Sequence, residues 1–453
     1  MDFDLSAYIG TGRRVHFIGV CGVSMNAIAQ ALASRGVRVT GSDRQDGEQA
    51  ETLRAVGIPV SVGHLPEYVR GADAVVRSAA IHDDSPDIRE ARALGIPVFE
   101  RAQVLGALMR EHGGCICVAG THGKTTVTSM LASVSMDAGL DPTVFVGATY
   151  PPIGGMHRLG QGPVMVAESC EYCDSFLSFF PKIAVILNIE ADHLDYFKDI
   201  AHIRRSFRAF AERTPSDGLV IWNAEDENCR LAFAGLDRPQ LTFGLSEGDL
   251  QAHNVTYAQG RASFDLVLHG KTLCRVTNGV AGDVHVKNAL AAAAAALHVG
   301  VSPEAFAKTL AAFRGAARRM EPRGEYHGAA LFDDYAHHPS EIAATLRAAR
   351  ASCRGKLICA FQPHTYSRTA ALFDGFAESL HLADAVLLAP IYSAREIDDG
   401  TVSSAMLAAA IPGAEAFPDF DAIAKRLSEI VSPGDTVLSL GAGDITHLFE
   451  HLK

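Results

Sequence analysis

The chain lacks long apolar runs, an excess of positive charge and any N-terminal targeting pattern. No run among its 453 residues approaches the roughly 20 apolar residues of a membrane helix. Residues 1–8 are acidic and short, unlike a secretory signal. The formal net charge of −12 argues against a surface that binds polyanions over the whole molecule. We therefore expect a soluble cytoplasmic protein that binds neither nucleic acid nor membrane.

The nine cysteines do not form the pattern of a disulfide framework or a zinc site. Their number is odd and they are scattered through a large chain, which predicts reduced thiols. Cys170 and Cys173 have C-x-x-C spacing, but no second pair and no nearby histidine pair completes a zinc site. We expect neither zinc binding nor redox chemistry there.

The length and composition predict several α/β domains. A chain of 453 residues is too long for one core, and its 48% apolar and 20% charged content is typical of globular proteins. Short apolar runs alternate with helical segments along the whole chain. The predicted fold has three domains: a Rossmann-like N-terminal domain, a central P-loop ATPase-type domain with a mostly parallel sheet, and a Rossmann-like C-terminal domain. The predicted limits are 1–111, 112–321 and 322–453.

The first domain begins with a β-α-β pattern. A buried strand at 14–19 and a helix at about 25–35 precede a second strand, 37–43, which ends in an acidic residue. The turn at residues 19–24 has cysteine and serine where the dinucleotide fingerprint has glycines. This pattern favours a nucleotide other than NAD.

Residues 120–126, G-T-H-G-K-T-T, follow an apolar run and precede a helical segment at 127–136. A strand, a glycine turn and a helix N-terminus form an anion site. Lys124 can reach the β- and γ-phosphates, and the Thr125 hydroxyl can hold Mg²⁺. Val118 stands where the usual spacing has a glycine, so the loop is a shortened variant. The stretch predicts binding of a nucleoside triphosphate.

Acidic residues follow the next two predicted strands. Glu168 and Glu171 come after one strand, and residues 188–193, N-I-E-A-D-H, come after the other. The carboxyl ends of parallel strands share one edge of a sheet, so these groups should lie beside the phosphate loop. Their carboxylates suit Mg²⁺. His193 is either a ligand or the partner of one, and Glu171 is alternatively a solvated loop carboxylate.

Arg318 and Arg319 lie near the junction of the second and third domains. Adjacent arginines commonly form a solvated face. At a hinge, however, one of them can reach the γ-phosphate when the domains close.

Two later strand ends are rich in His, Tyr and Arg, at residues 333–339, D-D-Y-A-H-H-P, and 361–368, F-Q-P-H-T-Y-S-R. Together they predict a pocket for a small zwitterion. Arg368 can pair with a carboxylate, and a histidine can orient or deprotonate an amine. Each single histidine is alternatively a surface or capping residue.

Taken together, these motifs resemble those of the Mur ligases of peptidoglycan synthesis, over essentially the whole chain. The segments that carry the resemblance are 120–126, 188–193, 318–319, 333–339, 361–364 and 441–445.

The resemblance implies a UDP-sugar site in the first domain, an ATP site in the second and an amino-acid site in the third. The implied catalytic residues are Lys124, Glu171, His193, Arg319 and Asp334. The implied ATP contacts are Gly120, Thr121, His122, Gly123, Lys124, Thr125, Thr126, Asn288, Arg319 and Asp334. The implied UDP-sugar contacts are Gly19, Gly22, Ser24, Asp43, His64 and Ser78. The implied amino-acid contacts are Tyr335, His337, His338, His364 and Arg368. The implied metal ligands are Thr125, Glu171 and His193.

The resemblance further implies an ATP- and Mg²⁺-dependent ligase that joins L-alanine to the carboxylate of UDP-N-acetylmuramate through an acyl phosphate. It implies a monomer or weak homodimer with small-molecule substrates. One alternative is a relative that joins a whole tripeptide to the same sugar. Another is a non-catalytic UDP-sugar sensor.

The sequence departs from the family pattern at a few positions. Cys170 replaces an acidic residue, and Val284-His285 replaces a His-Asn pair before Asn288. Smaller departures, each at a family glycine, are Cys21, Ser24 and Ala336. The catalytic set implied by the resemblance is complete.

Overall fold

The computed structural model describes residues 3–44, 46–78, 81–194, 196–258, 260–394, 396–398 and 400–452. Their strands form three sheets of five, ten and six strands. We call each sheet and its helices the first, central and third unit. None of the helices in the described ranges is both long and apolar enough to cross a membrane.

The first unit is a five-stranded parallel sheet with the order β3-β2-β1-β4-β5. Its strands are β1 (Arg14–Ile18), β2 (Arg38–Asp43), β3 (Val60–Val62), β4 (Ala74–Arg77) and β5 (Val98–Glu100). Its helices are α1 (Val23–Ala33), α2 (Glu48–Ala55), α3 (Pro86–Ala93) and α4 (Arg101–His112). A Cβ at Gly41 would lie 2.5 Å from Val20, so this glycine lets the turn after β1 lie against β2. The predicted β-α-β start is confirmed.

The central unit has a ten-stranded sheet with the order β15-β14-β13-β12-β11-β10-β6-β9-β7-β8. Its strands are β6 (Gly114–Ala119), β7 (Thr143–Tyr150), β8 (Gly155–Arg158), β9 (Val164–Glu168), β10 (Ile183–Ile186), β11 (Leu219–Asn223), β12 (Gln240–Gly244), β13 (Leu250–Ala258), β14 (Arg261–Leu268) and β15 (Lys271–Ala281). Its helices are α5 (Lys124–Asp137), α6 (Ile200–Glu212), α7 (Glu227–Phe233), α8 (Val284–His298) and α9 (Pro303–Ala312). Six strand pairs are parallel and three are antiparallel, so the mostly parallel sheet is confirmed.

The third unit is a six-stranded sheet with the order β16-β17-β21-β18-β19-β20, in which only the β16–β17 pair is antiparallel among the described residues. Its strands are β16 (Glu321–Tyr326), β17 (Ala329–Asp334), β18 (Leu357–Phe361), β19 (Ala385–Leu388), β20 (Ala414–Ala416) and β21 (Thr436–Leu440). Its helices are α10 (Pro339–Arg350), α11 (Tyr366–Ala371), α12 (Phe373–Leu380), α13 (Ser404–Ala410) and α14 (Phe420–Ile430). The three-part α/β fold is thereby confirmed. Short 3₁₀ helices cover Leu5–Ala7, Pro66–Tyr68, Pro151–Ile153, Tyr172–Ser178 and Asp444–His451.

The buried apolar side chains connect the units unequally. One cluster runs without interruption from the first sheet into the central one, from Phe17 and Leu105 to Phe176 and Phe207. The two clusters of the third unit contain only residues from 320 onwards. The first and central units therefore share a core, while the third unit meets the central one through other contacts. The domain limits near 111 and 321 stay a prediction.

Candidate active site

The turn at residues 120–123 joins β6 to α5 and is shaped by two glycines. Gly120 has φ +139° and Gly123 has φ +87°, both in the region that favours glycine. A Cβ on Gly123 would lie 2.8 Å from the Asn288 side-chain oxygen, so the turn packs directly on α8. Asn188 holds the turn from the other side, because its side chain accepts from the His122 N–H at 2.8 Å and donates to the His122 carbonyl at 3.1 Å.

Lys124, the first residue of α5, points back over this turn. Its Nζ donates to the carbonyls of Gly120, at 2.5 Å, and Thr121, at 3.2 Å, and lies 3.0 Å from the Glu171 carboxylate. Burial alone would lower the pKa of Lys124, but the negative groups around it, with the charge and hydrogen bond of Glu171 foremost, together outweigh burial and the pKa rises. Lys124 is therefore a fixed cation beside the turn. Glu171 is only 2% exposed, which excludes the alternative of a solvated loop carboxylate.

Thr125 lies beside a second carboxylate. Its hydroxyl donates to Glu168 at 3.0 Å, and the Gly147 N–H donates to the same carboxylate at 2.7 Å. Glu168 was among the acidic residues expected beside the phosphate loop, but it was not among the metal ligands that the family resemblance implied. The signal for it was its place as last residue of β9, which pairs with β6 so that Glu168 lies opposite Val118. A hydroxyl and nearby carboxylates are hard oxygen donors, so this corner suits Mg²⁺.

The two adjacent arginines have different surroundings. Arg318 turns into the third unit, with Nε 3.1 Å from the fully buried Asp333 carboxylate and Nη2 2.5 Å from the Gly441 carbonyl. Arg319 turns towards the central unit and donates to the Thr125 hydroxyl at 3.4 Å. Of the predicted pair, Arg319 is the one that faces the turn.

A cavity of about 220 Å³ lies between the turn and the third unit. The predicted residues on its wall are His122, Gly123, Thr126, Asn288, Arg319 and Asp334. Burial raises the pKa of Asp334 to about 6, although Arg319 opposes the rise. Burial and the Arg319 charge lower the pKa of His285, also on the wall, to about 4.

Side chains from both units form a contact at the edge of this cavity. His122 Nδ1 lies 3.0 Å from Glu341 of α10, and His122 Nε2 lies 3.2 Å from Glu190. Burial lowers the pKa of His122, but the two carboxylates outweigh it and raise the pKa to about 10. Sequence reasoning missed Glu341 and the role of Glu190 here, because residues far apart in the chain meet only across the two units.

A second cavity, of about 540 Å³, also lies between the central and third units. His193, His364 and Arg368 are on its wall. The Arg368 Nη2 lies 3.2 Å from Asp192, whose pKa falls because the charges of His193 and Arg368 outweigh the effect of burial. Burial and Arg368 lower the pKa of His364 to about 4, so this imidazole is neutral at physiological pH.

The structure separates the five residues predicted to surround one amino acid. His364 and Arg368 line the larger cavity. Tyr335 packs instead under the two arginines, with its ring centre 5.0 Å from the Arg318 guanidinium. His338 caps α10 and its ring lies 4.9 Å from that of His122. His337 lies between the two groups, with its ring 6.3 Å from that of His364.

The first unit has its own cavity, of about 1020 Å³, at the carboxyl ends of its strands. Five of the six residues predicted for the UDP-sugar are on its wall, namely Gly19, Gly22, Asp43, His64 and Ser78. The sixth, Ser24, is not on the wall, and its hydroxyl accepts from Arg101 at 3.1 Å.

Two carboxylates order the wall of this cavity. Asp43 accepts from the Cys21 N–H at 2.9 Å, which fixes the first turn of the chain. Asp87 is fully buried and lies 3.0 Å from His64 Nδ1. His64 can therefore use its other ring nitrogen, Nε2, to contact a molecule in the cavity. Asp87 was not among the predicted site residues.

Three family models match successive parts of this chain. They describe a Mur ligase family catalytic domain at residues 14–112, a Mur ligase middle domain at 118–296 and a Mur ligase glutamate ligase domain at 318–443.

Individual proteins match over nearly the whole length. A UDP-N-acetylmuramate–L-alanine ligase from Caldanaerobacter subterraneus subsp. tengcongensis is 43% identical, over 99% of this chain and 98% of its own. The crystal structure of UDP-N-acetylmuramate-alanine ligase from Thermotoga maritima has a TM-score of 0.80 at 29% identity, covering 96% of this chain and 97% of that one. A murein peptide ligase from Psychrobacter arcticus has a TM-score of 0.73 at 25% identity, covering 97% and 98%. These matches, together with the three family models, show that the chain belongs to the Mur ligase family.

Proposed function

We propose that this chain is an ATP-dependent ligase that joins L-alanine to the carboxylate of UDP-N-acetylmuramate, in the synthesis of peptidoglycan precursors. The observation that carries the proposal is the Lys124–Glu171 and Thr125–Glu168 cluster, which Arg319, on the segment that leads into β16 of the third unit, contacts directly. Positive groups from two distant segments of the chain meet at one phosphate turn, as phosphoryl transfer requires. The full-length relative named for this reaction supports the choice of substrates.

Each of the three cavities is assigned to one substrate. The first unit's cavity is proposed to take the UDP-sugar, because it is the largest and its wall carries the predicted contacts. ATP is proposed to lie along the turn and in the cavity beside Asn288 and Asp334. L-Alanine is proposed to bind near His364 and Arg368, where a guanidinium and a neutral imidazole lie 3.3 Å apart and suit a zwitterion.

The chemistry follows from the poor reactivity of a carboxylate. The sugar carboxylate attacks the γ-phosphate of ATP, giving an acyl phosphate and ADP. The amine of L-alanine then attacks the activated carbonyl, inorganic phosphate leaves, and an amide remains. Lys124 and Arg319 are proposed to neutralise the charge that builds up as two anions approach.

Thr125 and Glu168 are proposed to hold Mg²⁺ together with the predicted ligands Glu171 and His193. The bound ion would supply charge neutralisation and orientation of the phosphates. Glu171 also holds Lys124 in place, and Glu168 is fixed by the Gly147 N–H, so the protein orients its own donors.

The residues between the central and third units are proposed to exclude water from the acyl phosphate. Arg319, Arg368 and Glu341 contact the central unit, and these contacts hold the third unit closed against it. The predictions of cytoplasmic location and of a monomer or weak homodimer remain part of this proposal.

Phosphate release tests the function. The protein is mixed with ATP, Mg²⁺ and UDP-N-acetylmuramate, and each common amino acid, and separately a murein tripeptide, is added in turn. We expect release only with both the sugar and L-alanine, and a product heavier by one alanyl unit. Release only with a murein tripeptide would assign the chain to the recycling reaction instead. Bound sugar without any release would support the sensor.

A further inference from the structure

Ser340, on the first turn of α10, has three strong side-chain contacts at one hydroxyl. Its Oγ lies 2.7 Å from His338 Nδ1, 2.9 Å from Glu190 Oε2 and 3.0 Å from His122 Nε2. The three partner residues come from the phosphate turn, the loop after β10 and the N-cap of α10. Side chains from two units therefore converge on a single point.

The Ser340 hydroxyl can donate to only one of these partners. It carries one proton, and the Glu190 carboxylate can only accept. His338 Nδ1 also accepts, from the Ser340 N–H at 3.4 Å, so it presents a lone pair to the same hydroxyl. Glu190 has a second contact, with His122 Nε2 at 3.2 Å. A divalent cation at this point would replace the proton between His122 and Glu190 and contact all three partner atoms.

The ligand atoms are suited to a metal ion. One atom each of His122, Glu190 and His338 lies within 4.8 Å of the other two. His122 Nε2 and Glu190 Oε2 are 3.2 Å apart, close to the ligand separation of about 3.3 Å in a tetrahedral zinc site. Two imidazoles and one carboxylate favour Zn²⁺ or Co²⁺ over Mg²⁺, which prefers oxygen ligands.

The surroundings orient the ligands. His122 presents Nε2 to the cluster because its Nδ1 is held by the Glu341 carboxylate at 3.0 Å. Such a carboxylate–histidine pair fixes the ring and increases its basicity at metal sites. His338 is 7% exposed, so its ring is held by packing. Ser340 is exposed, so its hydroxyl can rotate away.

We propose that His122, Glu190 and His338 form a binding site for a divalent transition-metal ion of the Zn²⁺ or Co²⁺ type. The site shares no residue with the Thr125, Glu168 and Glu171 corner, and it lies at the edge of the proposed nucleotide cavity, whose wall includes His122, Glu190 and Ser340. Because His338 belongs to the third unit and the other two ligands to the central unit, the bound ion holds these units together. An ion that holds the units closed slows nucleotide exchange.

Titration with Co²⁺ tests the site directly, with the full chain in excess Mg²⁺ to fill sites made of oxygen ligands. The visible absorption of tetrahedral Co²⁺ is the readout. We expect one such site in the unaltered protein. His338→Asn should abolish it, since asparagine still caps the helix but the metal ligand is lost. Glu341→Gln should weaken binding roughly 10- to 100-fold.

Two further variants make the result decisive. His253→Asn, at an exposed position on β13, is the matched histidine control and should bind Co²⁺ normally. His193→Asn removes a ligand proposed for Mg²⁺ and should also leave the absorption intact. An absorption that survives in His338→Asn, or disappears in His193→Asn, would overturn the proposal. Should His338→Asn fail to fold, Glu190→Gln replaces it with the same expected loss.

Discussion

The two glycine turns that open α1 and α5 both follow a parallel strand, but their surroundings differ. The first turn faces a cavity of about 1020 Å³ formed within one unit. The second turn faces a cavity of about 220 Å³ whose wall includes residues of another unit. Around the first turn, Asp43 bonds to the backbone. Around the second, carboxylates bond to the side chains of Lys124 and Thr125.

With the substrates assigned as proposed, this difference implies that they depend on different parts of the molecule. The residues on the wall of the first cavity all belong to the first unit. The second turn is contacted by Arg319, which immediately precedes β16 of the third unit and lies 3.4 Å from the Thr125 hydroxyl. Changes at the second turn should therefore alter turnover, and changes at the first should alter sugar binding alone.

The largest effect is expected at Lys124. Lys124→Ala should reduce phosphate release on the order of 10²–10³-fold, since one preorganised cation is lost beside the phosphates. The affinity for UDP-N-acetylmuramate, measured by calorimetry, should stay unchanged. Lys182→Ala is the control, because that lysine pairs with Asp217 on the surface at 2.7 Å. Turnover near normal in Lys124→Ala would refute the assignment of this turn to ATP.

Substitutions at the two adjacent arginines should affect different properties: turnover at Arg319 and stability at Arg318. Arg319→Ala is expected to slow phosphate release roughly 10²-fold with little change in melting temperature. Arg318→Ala leaves Asp333 buried without its cation and should cost about 3 kcal/mol of unfolding free energy. Thermal melts and steady-state rates on both variants check the contrast. If both variants lose turnover to the same extent, the proposed difference in role between Arg318 and Arg319 is wrong.

A smaller effect is expected at Gly147. A Cβ there would lie 2.5 Å from the Glu168 carboxylate, and this flexible group must then move away from Thr125. Gly147→Ala should therefore raise the Mg²⁺ concentration for half-maximal rate by about tenfold. Gly155→Ala is the matched control, since its Cβ would meet nothing within 4 Å. An unchanged Mg²⁺ requirement in Gly147→Ala would remove Glu168 from the proposed ligands.

The smallest effect is expected at the first turn. Asp87→Asn weakens the bond that orients His64, although the amide oxygen can still accept. We expect the KM for the UDP-sugar to rise about fivefold, corresponding to a loss of about 1 kcal/mol. The kcat and the KM for ATP should not change. A fall in kcat would show that the first unit influences the second turn.

The sequence predicted the parallel strands well because their buried residues form continuous apolar runs. The strands at 164–168 and 183–186 are examples. It did not predict the antiparallel β13–β15, whose side chains are partly exposed and lack such runs. Helix α1 lies two residues earlier than expected.

Within the candidate site, the sequence pointed to single residues but not to their neighbours. Lys124 could be selected from its motif and Arg319 from the family resemblance, and the structure places both at the turn. The sequence placed His338 and His364 in one amino-acid pocket. In the structure, the His338 ring instead lies 4.9 Å from that of His122 in the central unit. Contacts between distant parts of a chain leave no spacing pattern in a sequence.

The core shared by the first and central units has a consequence for synthesis on the ribosome. The first sheet emerges first, yet its apolar cluster is completed only by residues as late as Leu236. The cluster on the other face of the central sheet ends at Ala316. Once residue 320 has left the ribosome, every residue of both clusters is therefore present in the emerged chain. The third unit, with clusters of its own, can then fold as a separate and last event.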